Sequence, residues 1–315
     1  MANSFFTIHL VALVTMVLLS SDLAADEAGK RRAKPPEWPR DVVEVFFDDA
    51  RDALVGARPD YEEQARPIQL SGRGPKNTPT TSGSGYAWSD LVEADTIEAE
   101  IKRLVAPLGP LVATPSAFKG GGYRDCRDHF SWLAVLFAVA SDYDEEVRWQ
   151  DTAEGLSQLY ARAGFNCKVG TDQSFRESQL RVEDLGELVR GGRPDVPPVK
   201  PDIGWDQIAD RTPLMRRMEV ALAERISPNA SDGRALTGNA DDLRHEAQLV
   251  AILAHVITQE GFADADDQSY TAHADSLRDA AVRFSQATDR EDFQSARAAL
   301  GDMSKACSNC HDEWR

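Results

Sequence analysis

The chain has 315 residues, of which 42% are hydrophobic and 28% charged, and its formal net charge is −17. That length suffices for two domains with a core in each. The acidic excess argues against a nucleic-acid partner, because phosphate binding needs clustered Lys and Arg. A basic redox partner would be steered by such a charge, although acidity serves solubility equally well.

The first feature along the chain is an apolar run from Ile8 to Leu19, followed by small residues at Leu23-Ala24-Ala25. Residues 1–25 are therefore expected to be an export signal cleaved near Ala25, which sends the mature protein to the periplasm or outside the cell. A basic segment ahead of the run is missing, and the run is shorter than the roughly 20 apolar residues a membrane span needs. No later stretch is apolar enough to cross a bilayer. Residues 26–85 hold one extra helix over 41–56, marked by Val42, Val43, Phe46, Phe47, Ala50 and Leu54. A loose stretch rich in Gly, Ser, Thr and Pro follows from Ser71 to Gly85.

From residue 86 onward the apolar residues recur at helical spacing. Residues 86–192 form one predicted four-helix unit, and 203–315 a second. Between them 193–202 is a linker, part of the Pro/Gly-rich segment Gly191 to Pro201. In the second unit one helix begins near Ile203 and carries Ile208, Met215, Met218 and Leu222. The next runs through Leu243, Ala247, Val250, Ala254 and Ile257, and the third through Tyr270, Ala274, Leu277, Ala281 and Phe284. In the last, Phe293, Ala296, Leu300, Met303, Cys307 and Cys310 make a single stripe, so the cysteines continue the core seam. Short Gly/Asp/Asn-rich connections make an antiparallel bundle the economical solution. The expected fold is all-α, two tandem antiparallel four-helix bundles.

The two units align with each other. Trp88-Ser-Asp-Leu91 falls on Trp205-Asp-Gln-Ile208, and Arg127 to Ser141 on Arg244 to Thr258, both at an offset of 117 (from 88 to 205 and from 127 to 244). With small shifts Trp149 to Leu156 falls on Tyr270 to Leu277, and Leu185 to Leu188 on Leu300 to Met303. Chance likeness among amphipathic helices accounts for part of this; four helices in one order point to duplication. The copies diverge where chemistry would sit. Gly192 stands opposite Cys307, Glu98 opposite Met215 and Ala94 opposite Arg211.

Four cysteines are present. Cys126 begins the second helix of the first unit and Cys167 follows its third; antiparallel neighbours bring those ends together, so in an exported protein the pair is a disulfide candidate. Two unpaired thiols are the alternative. Cys307, Cys310 and His311 form a Cys-x-x-Cys-His sequence, the usual covalent attachment site for c-type haem. The two thiols can add across the vinyl groups of one porphyrin, and the histidine then brings a proximal ligand to the iron. A zinc site would want four ligands, and no second Cys/His pair has ligand spacing. A redox dithiol usually opens a helix after a strand, whereas this motif ends one.

Arg211 and Met215 lie one turn apart on the first helix of the second unit. An arginine on an apolar seam is costly unless it meets an anion, and haem propionates would supply one; the alternative is a guanidinium snorkelling to water. Met215 is a candidate sixth ligand or a residue packed on the distal haem face, and core filling is what buried methionines usually do. His245, His255 and His273 lie beside the seams and are expected as partly exposed helix residues in preference to sixth ligands, and His129, in the haem-free unit, is a still weaker ligand candidate.

The segment Cys307-Ser-Asn-Cys310-His311-Asp-Glu-Trp-Arg315 resembles the C-terminal motif of the class II c-type cytochromes, the cytochrome c prime family, in which a basic residue follows the histidine. Arg211-Thr-Pro-Leu-Met215 resembles that family's first-helix Arg-x-x-x-Met/Leu. The resemblance covers about 203–315 strongly and about 86–192 only as a fold. It implies a four-helix bundle with one covalent haem c, Arg211 near a propionate, Met215 over the distal face and Arg315 near the proximal His311. Pro213 departs from the pattern, since proline is comfortable only in the first turn of a helix, and it moves the expected helix start to near Arg211. Family members are often homodimers through their first two helices, so the haem-free copy is expected to be a tethered pseudo-partner.

Together these readings give an exported monohaem cytochrome that moves single electrons to or from a redox partner protein. The alternative is a five-coordinate haem protein that binds or senses nitric oxide or carbon monoxide. No paired carboxylates or nucleophile-base set points to an enzyme.

Overall fold

The computed structural model describes residues 86–201 and 203–314, and every regular element among them is helical. The expected export signal, the 41–56 helix and the loose stretch to Gly85 lie outside the described residues, as does Arg315. The N-terminal half holds α1 (Trp88–Leu91), α2 (Ala94–Arg103), α3 (Val105–Leu111), α4 (Tyr123–Ser141), α5 (Gln150–Asn166) and α6 (Asp172–Val189). The C-terminal half holds α7 (Trp205–Ile208), α8 (Arg211–Glu219), α9 (Ala240–Val256), α10 (Gln268–Asp289) and α11 (Phe293–Trp314). A π-helical stretch, Val220–Ile226, prolongs α8. No helix among the described residues is long and apolar enough to cross a membrane.

The element starts repeat as the sequence alignment does. Helices α1, α2 and α4 begin at 88, 94 and 123, and α7, α8 and α9 begin at 205, 211 and 240, each 117 positions on. Local chemistry explains several of these starts. Thr171 accepts from the Ser174 amide to cap α6, and Asp267 accepts from the amides of Ser269 and Tyr270 to cap α10, in each case satisfying N–H groups that the first turn leaves unpaired. The helix expected from Ile203 is broken in two. Ala209 (φ −151, ψ 147) and Asp210 (φ −72, ψ 148) are extended, so α8 starts at Arg211 with Pro213 inside its first turn.

Within the halves α4 packs on α5, α9 on α10 and α10 on α11. Across them α8 packs on α4, and α9 packs on α1 and α2. The second long helix of each half is thereby covered on two sides. In α4, 12 of 19 residues are buried, and in α9, 13 of 17. A helix covered all round needs apolar residues all round, which is why Trp132 to Ala140 and Leu249 to Ala254 read as nearly continuous hydrophobic runs.

The histidines correct a sequence expectation. His245 and His255 are buried at 6% and 7% exposure, because they face the other half instead of water. His245 Nε2 is 3.0 Å from Glu100 Oε2, and the His255 ring meets Trp88 edge-on at 5.1 Å between centroids. Trp88 in turn contacts Trp205, its counterpart 117 positions on, at 6.0 Å. Burial, with the Arg278 charge, pushes the His255 imidazole down to about 4, so it is neutral in the fold.

A buried ionic cluster lies at the same interface. Glu100 accepts hydrogen bonds from Trp132 Nε1 (2.9 Å) and Arg217 Nη2 (3.1 Å). Arg217 also reaches Glu246 Oε2 at 2.8 Å, and Arg225 Nη1 reaches Glu246 Oε1 at 2.5 Å. Burial alone would raise the Glu100 carboxyl, but the His245 hydrogen bond, the Arg217 charge and the Trp132 indole outweigh it and hold it at about 2.

The linker is docked. Gln158 Nε2 donates to Lys200 O at 2.8 Å, and Lys200 N donates to Gln158 Oε1 at 2.9 Å. Val196 lies so close to α5 that a Cβ on Gly155 would sit 2.3 Å from Val196 Cγ1. Cys126 and Cys167, the disulfide candidates, stand as free thiols with no exposed surface. Cys167 Sγ instead lies 3.2 Å from Ser178 Oγ. Burial raises both thiols well above the ordinary range, keeping them protonated as small apolar groups.

Candidate functional site

Helices α8, α10 and α11 border an open cavity of about 680 Å³. Arg211 and Met215 reach it from α8, Tyr270, His273, Ala274 and Leu277 from α10, and Cys307, Cys310, His311 and Trp314 from α11. Met218, Leu222 and Ile257 complete the apolar wall. The sequence-predicted residues Arg211, Met215, Cys307, Cys310 and His311 thus all line one space. Its volume falls in the range of small-molecule and cofactor sites, about 300–1,000 Å³.

The α11 seam is rotated from the expected stripe. Ala296, Ala299, Met303 and Ala306 are the buried positions, and the three alanines among them let α11 lie close against α10. Cys307 and Cys310 are partly buried on the flank, facing the cavity instead of the seam, and His311 is exposed. Burial raises the Cys307 thiol, with Cys310 adding to it, and also raises Cys310, where Arg211 opposes it. A redox dithiol needs the opposite, a nucleophilic cysteine with a lowered pKa. Among the described residues no three His, Cys, Asp or Glu side chains converge on a point suited to a metal ion.

Arg211 is fixed in place by the loop before α10. Its Nη1 is 3.1 Å from Asp264 Oδ2, its Nη2 donates to the Ala263 carbonyl, and its guanidinium lies 4.9 Å from the Tyr270 ring centre. Asp264 holds φ 65, a left-handed conformation that Asp tolerates better than most residues. Sequence reasoning did not foresee this partner, and an Asp in a polar loop gives no signal of it. Met215 is partly buried against the core and turned to the cavity, and Met218 is 4% exposed. His273 Nε2 is 3.0 Å from Glu313 Oε2, which ties α10 to the end of α11. Tyr270 and Trp314 meet edge to face at 5.8 Å. Burial lifts the Tyr270 phenol to about 12, with Arg211 opposing and Cys310 and Asp264 adding.

The first half has different furniture at the corresponding positions. Glu98, opposite Met215, pairs with Lys102 at 2.9 Å and with Arg148 at 3.8 Å. Arg148 stacks on Trp149 at 4.6 Å, and Trp149 meets Phe137 at 6.3 Å. Helix α6 ends at Val189, ahead of the position corresponding to Cys307. In comparisons with known proteins no family model, no curated protein and no solved structure matches this chain.

Proposed function

We propose that the chain is an exported monohaem c-type cytochrome whose C-terminal half is a four-helix bundle of the cytochrome c prime kind. Cys307 and Cys310 hold one haem by thioether bonds and His311 is the proximal iron ligand. The N-terminal half is a degenerate haem-free bundle that acts as a tethered pseudo-partner, and the protein passes single electrons to a partner, with basic partners steered by its charge.

The observation that carries this reading is convergence. Residues chosen from sequence at 211, 215, 307, 310 and 311 line one cavity of about 680 Å³, whose wall joins apolar Met218, Leu222, Ile257 and Leu277 to polar residues such as Thr212, Arg216 and Glu219. The donor set fits the group: two thiols three positions apart on one helical face, the next residue an imidazole, and a thioether across the cavity. When bound, an iron porphyrin supplies one-electron chemistry. The protein's own residues attach it, exclude water with Met218, Leu222, Ile257 and Leu277, and set its potential through Met215. The pairing of α8 with α4 and of α9 with α2 supports the pseudo-partner role of the first half.

A second reading, small-gas binding, is favoured by Leu222, Ile257 and Leu277 in the cavity wall, which carry no ligating atom. Both readings predict a mass increment of one haem in protein matured in an exporting host, abolished in Cys307→Ser/Cys310→Ser. Absence of that increment refutes both. A low-spin ferric spectrum with a sulfur-to-iron band lost in Met215→Ala selects electron transfer. A high-spin spectrum that shifts with nitric oxide or carbon monoxide selects gas binding.

A further inference from the structure

Helix α8 presents two faces. Arg211, Met215 and Met218 recur at helical spacing and line the cavity. The opposite side of the same helix meets the first half, where α8 packs on α4. Asp210, the residue just before α8, lies 2.5 Å from Arg127 Nη2 and 3.0 Å from Lys168 Nζ. About two turns on, Arg217 reaches Glu100 of α2 at 3.1 Å, and beside it Arg216 reaches Asp128 of α4 at 2.6 Å. The first half therefore grips α8 along its length by charge, on the side away from the cavity.

Asp210 occupies the N-cap of α8, where an aspartate ordinarily accepts from amides of its own first turn. Here its side chain makes no such bond. One reason is local: Pro213 stands at the third helical position and has no N–H to offer. The carboxylate goes instead to two cations of the first half, Arg127 in α4 and Lys168 just after α5. The start of α8 is thus fixed from outside its own helix. The pseudo-symmetric contact is looser, since Glu93, before α2, lies 3.6 Å from Arg244 (from 93 to 210 and from 127 to 244). The tight version is the one next to the cavity. Arg211 follows Asp210 directly and Met215 lies about one turn beyond it, so what fixes Asp210 also fixes where these side chains enter the cavity.

We propose that Asp210, Arg127 and Lys168 are positioning residues through which the first half holds α8, and so sets how close Met215 stands to the group bound in the cavity. This rests on the haem reading above for the identity of that group. The first half is then a working part of the site. Loosening these ion pairs frees one wall, while α11, which carries Cys307, Cys310 and His311, stays packed on α10.

The test compares Asp210→Asn with Arg127→Gln/Lys168→Gln in the full chain. Asparagine caps a helix as well as aspartate does, so Asp210→Asn removes the charged link and keeps the helix start. In haem-free protein made with Cys307→Ser/Cys310→Ser, either change is expected to speed hydrogen exchange at the amides of 215–219 about fivefold to thirtyfold, with α11 amides within about twofold. Combining them should add little, since both break one link. In the haem-loaded protein both should shift the reduction potential in the same direction, and a Met215→Ala background should abolish that shift. Unchanged exchange at 215–219, or fully additive effects, would overturn the hold on α8 whatever the cavity binds. Faster exchange with an unchanged potential would overturn the positioning of Met215. A native chain that acquires no haem overturns that positioning together with the haem reading, while the exchange arm still decides the hold on α8.

Discussion

Glu100→Gln is the sharpest probe of how the two halves are held. Glu100 is 3% exposed and receives Trp132, Arg217 and His245. An ordinary value of 4.5 brought down to about 2 means that the ionised form is favoured over the neutral one by about 3 kcal/mol more in the fold than in water, at about 1.4 kcal/mol per tenfold. Glutamine keeps the size and the acceptor facing Trp132 but removes the charge, so the variant should lose about 3 kcal/mol at pH 7. For a folded unit of this size that is a fall in Tm of roughly 6–12 °C. The sign of the pH dependence follows from the depressed value. The contribution is complete above pH 4.5 and is lost as pH falls towards 2, so about half the gap between native and variant should remain at pH 3. Urea midpoints of both proteins at pH 7, 5, 4 and 3 measure it. A gap under about 1 kcal/mol at pH 7, or one that does not narrow between pH 5 and 3, refutes the reasoning.

Other perturbations test other parts of the fold. His255 is held neutral with its imidazole at about 4, so the unfolded chain takes up a proton below pH 6.5 that the fold refuses. The native protein should lose up to about 3 kcal/mol between pH 6.5 and 4, a loss that His255→Leu should abolish in urea titrations over that range. Gly155→Ala places a Cβ 2.3 Å from Val196 Cγ1 and should undock the linker, costing about 1–3 kcal/mol and exposing 193–201 to limited proteolysis; an unchanged cleavage rate would count against the docked linker. Cys126 and Cys167 are fully buried and held protonated, so native protein at pH 8 should resist thiol alkylation at both until denaturant is added, as read by mass spectrometry.

Where helices begin was legible wherever the signal was local. The α10 stripe of Tyr270, Ala274, Leu277, Ala281 and Phe284, and Pro213 in a first turn, appear in the structure as the spacing suggested. The cavity residues were legible because cysteine and histidine spacing is chemistry written within one turn. What depends on distant chain was not. His245 looks like a surface histidine until Glu100, 145 positions earlier, is placed against it, and Arg211 looks free for a ligand until Asp264 arrives from another loop. The Tyr270 hydroxyl, buried without a hydrogen-bond partner among the described residues, gives no sequence signal, because a tyrosine on a core stripe normally finds a partner at its polar end.

Glu100 and Arg217 occupy corresponding positions of α2 and α8, 117 apart (from 100 to 217), and they touch. In an assembly of two identical subunits the residue at such a position meets itself across the axis, and two buried glutamates or two buried arginines would repel. One continuous chain removes that constraint, since each copy of the position can change alone. Once the two have become opposite in sign, each half is a poor match for its own kind and a good match for the other. In this chain the two positions carry opposite charges, so the contact that would repel between like residues instead joins α2 to α8.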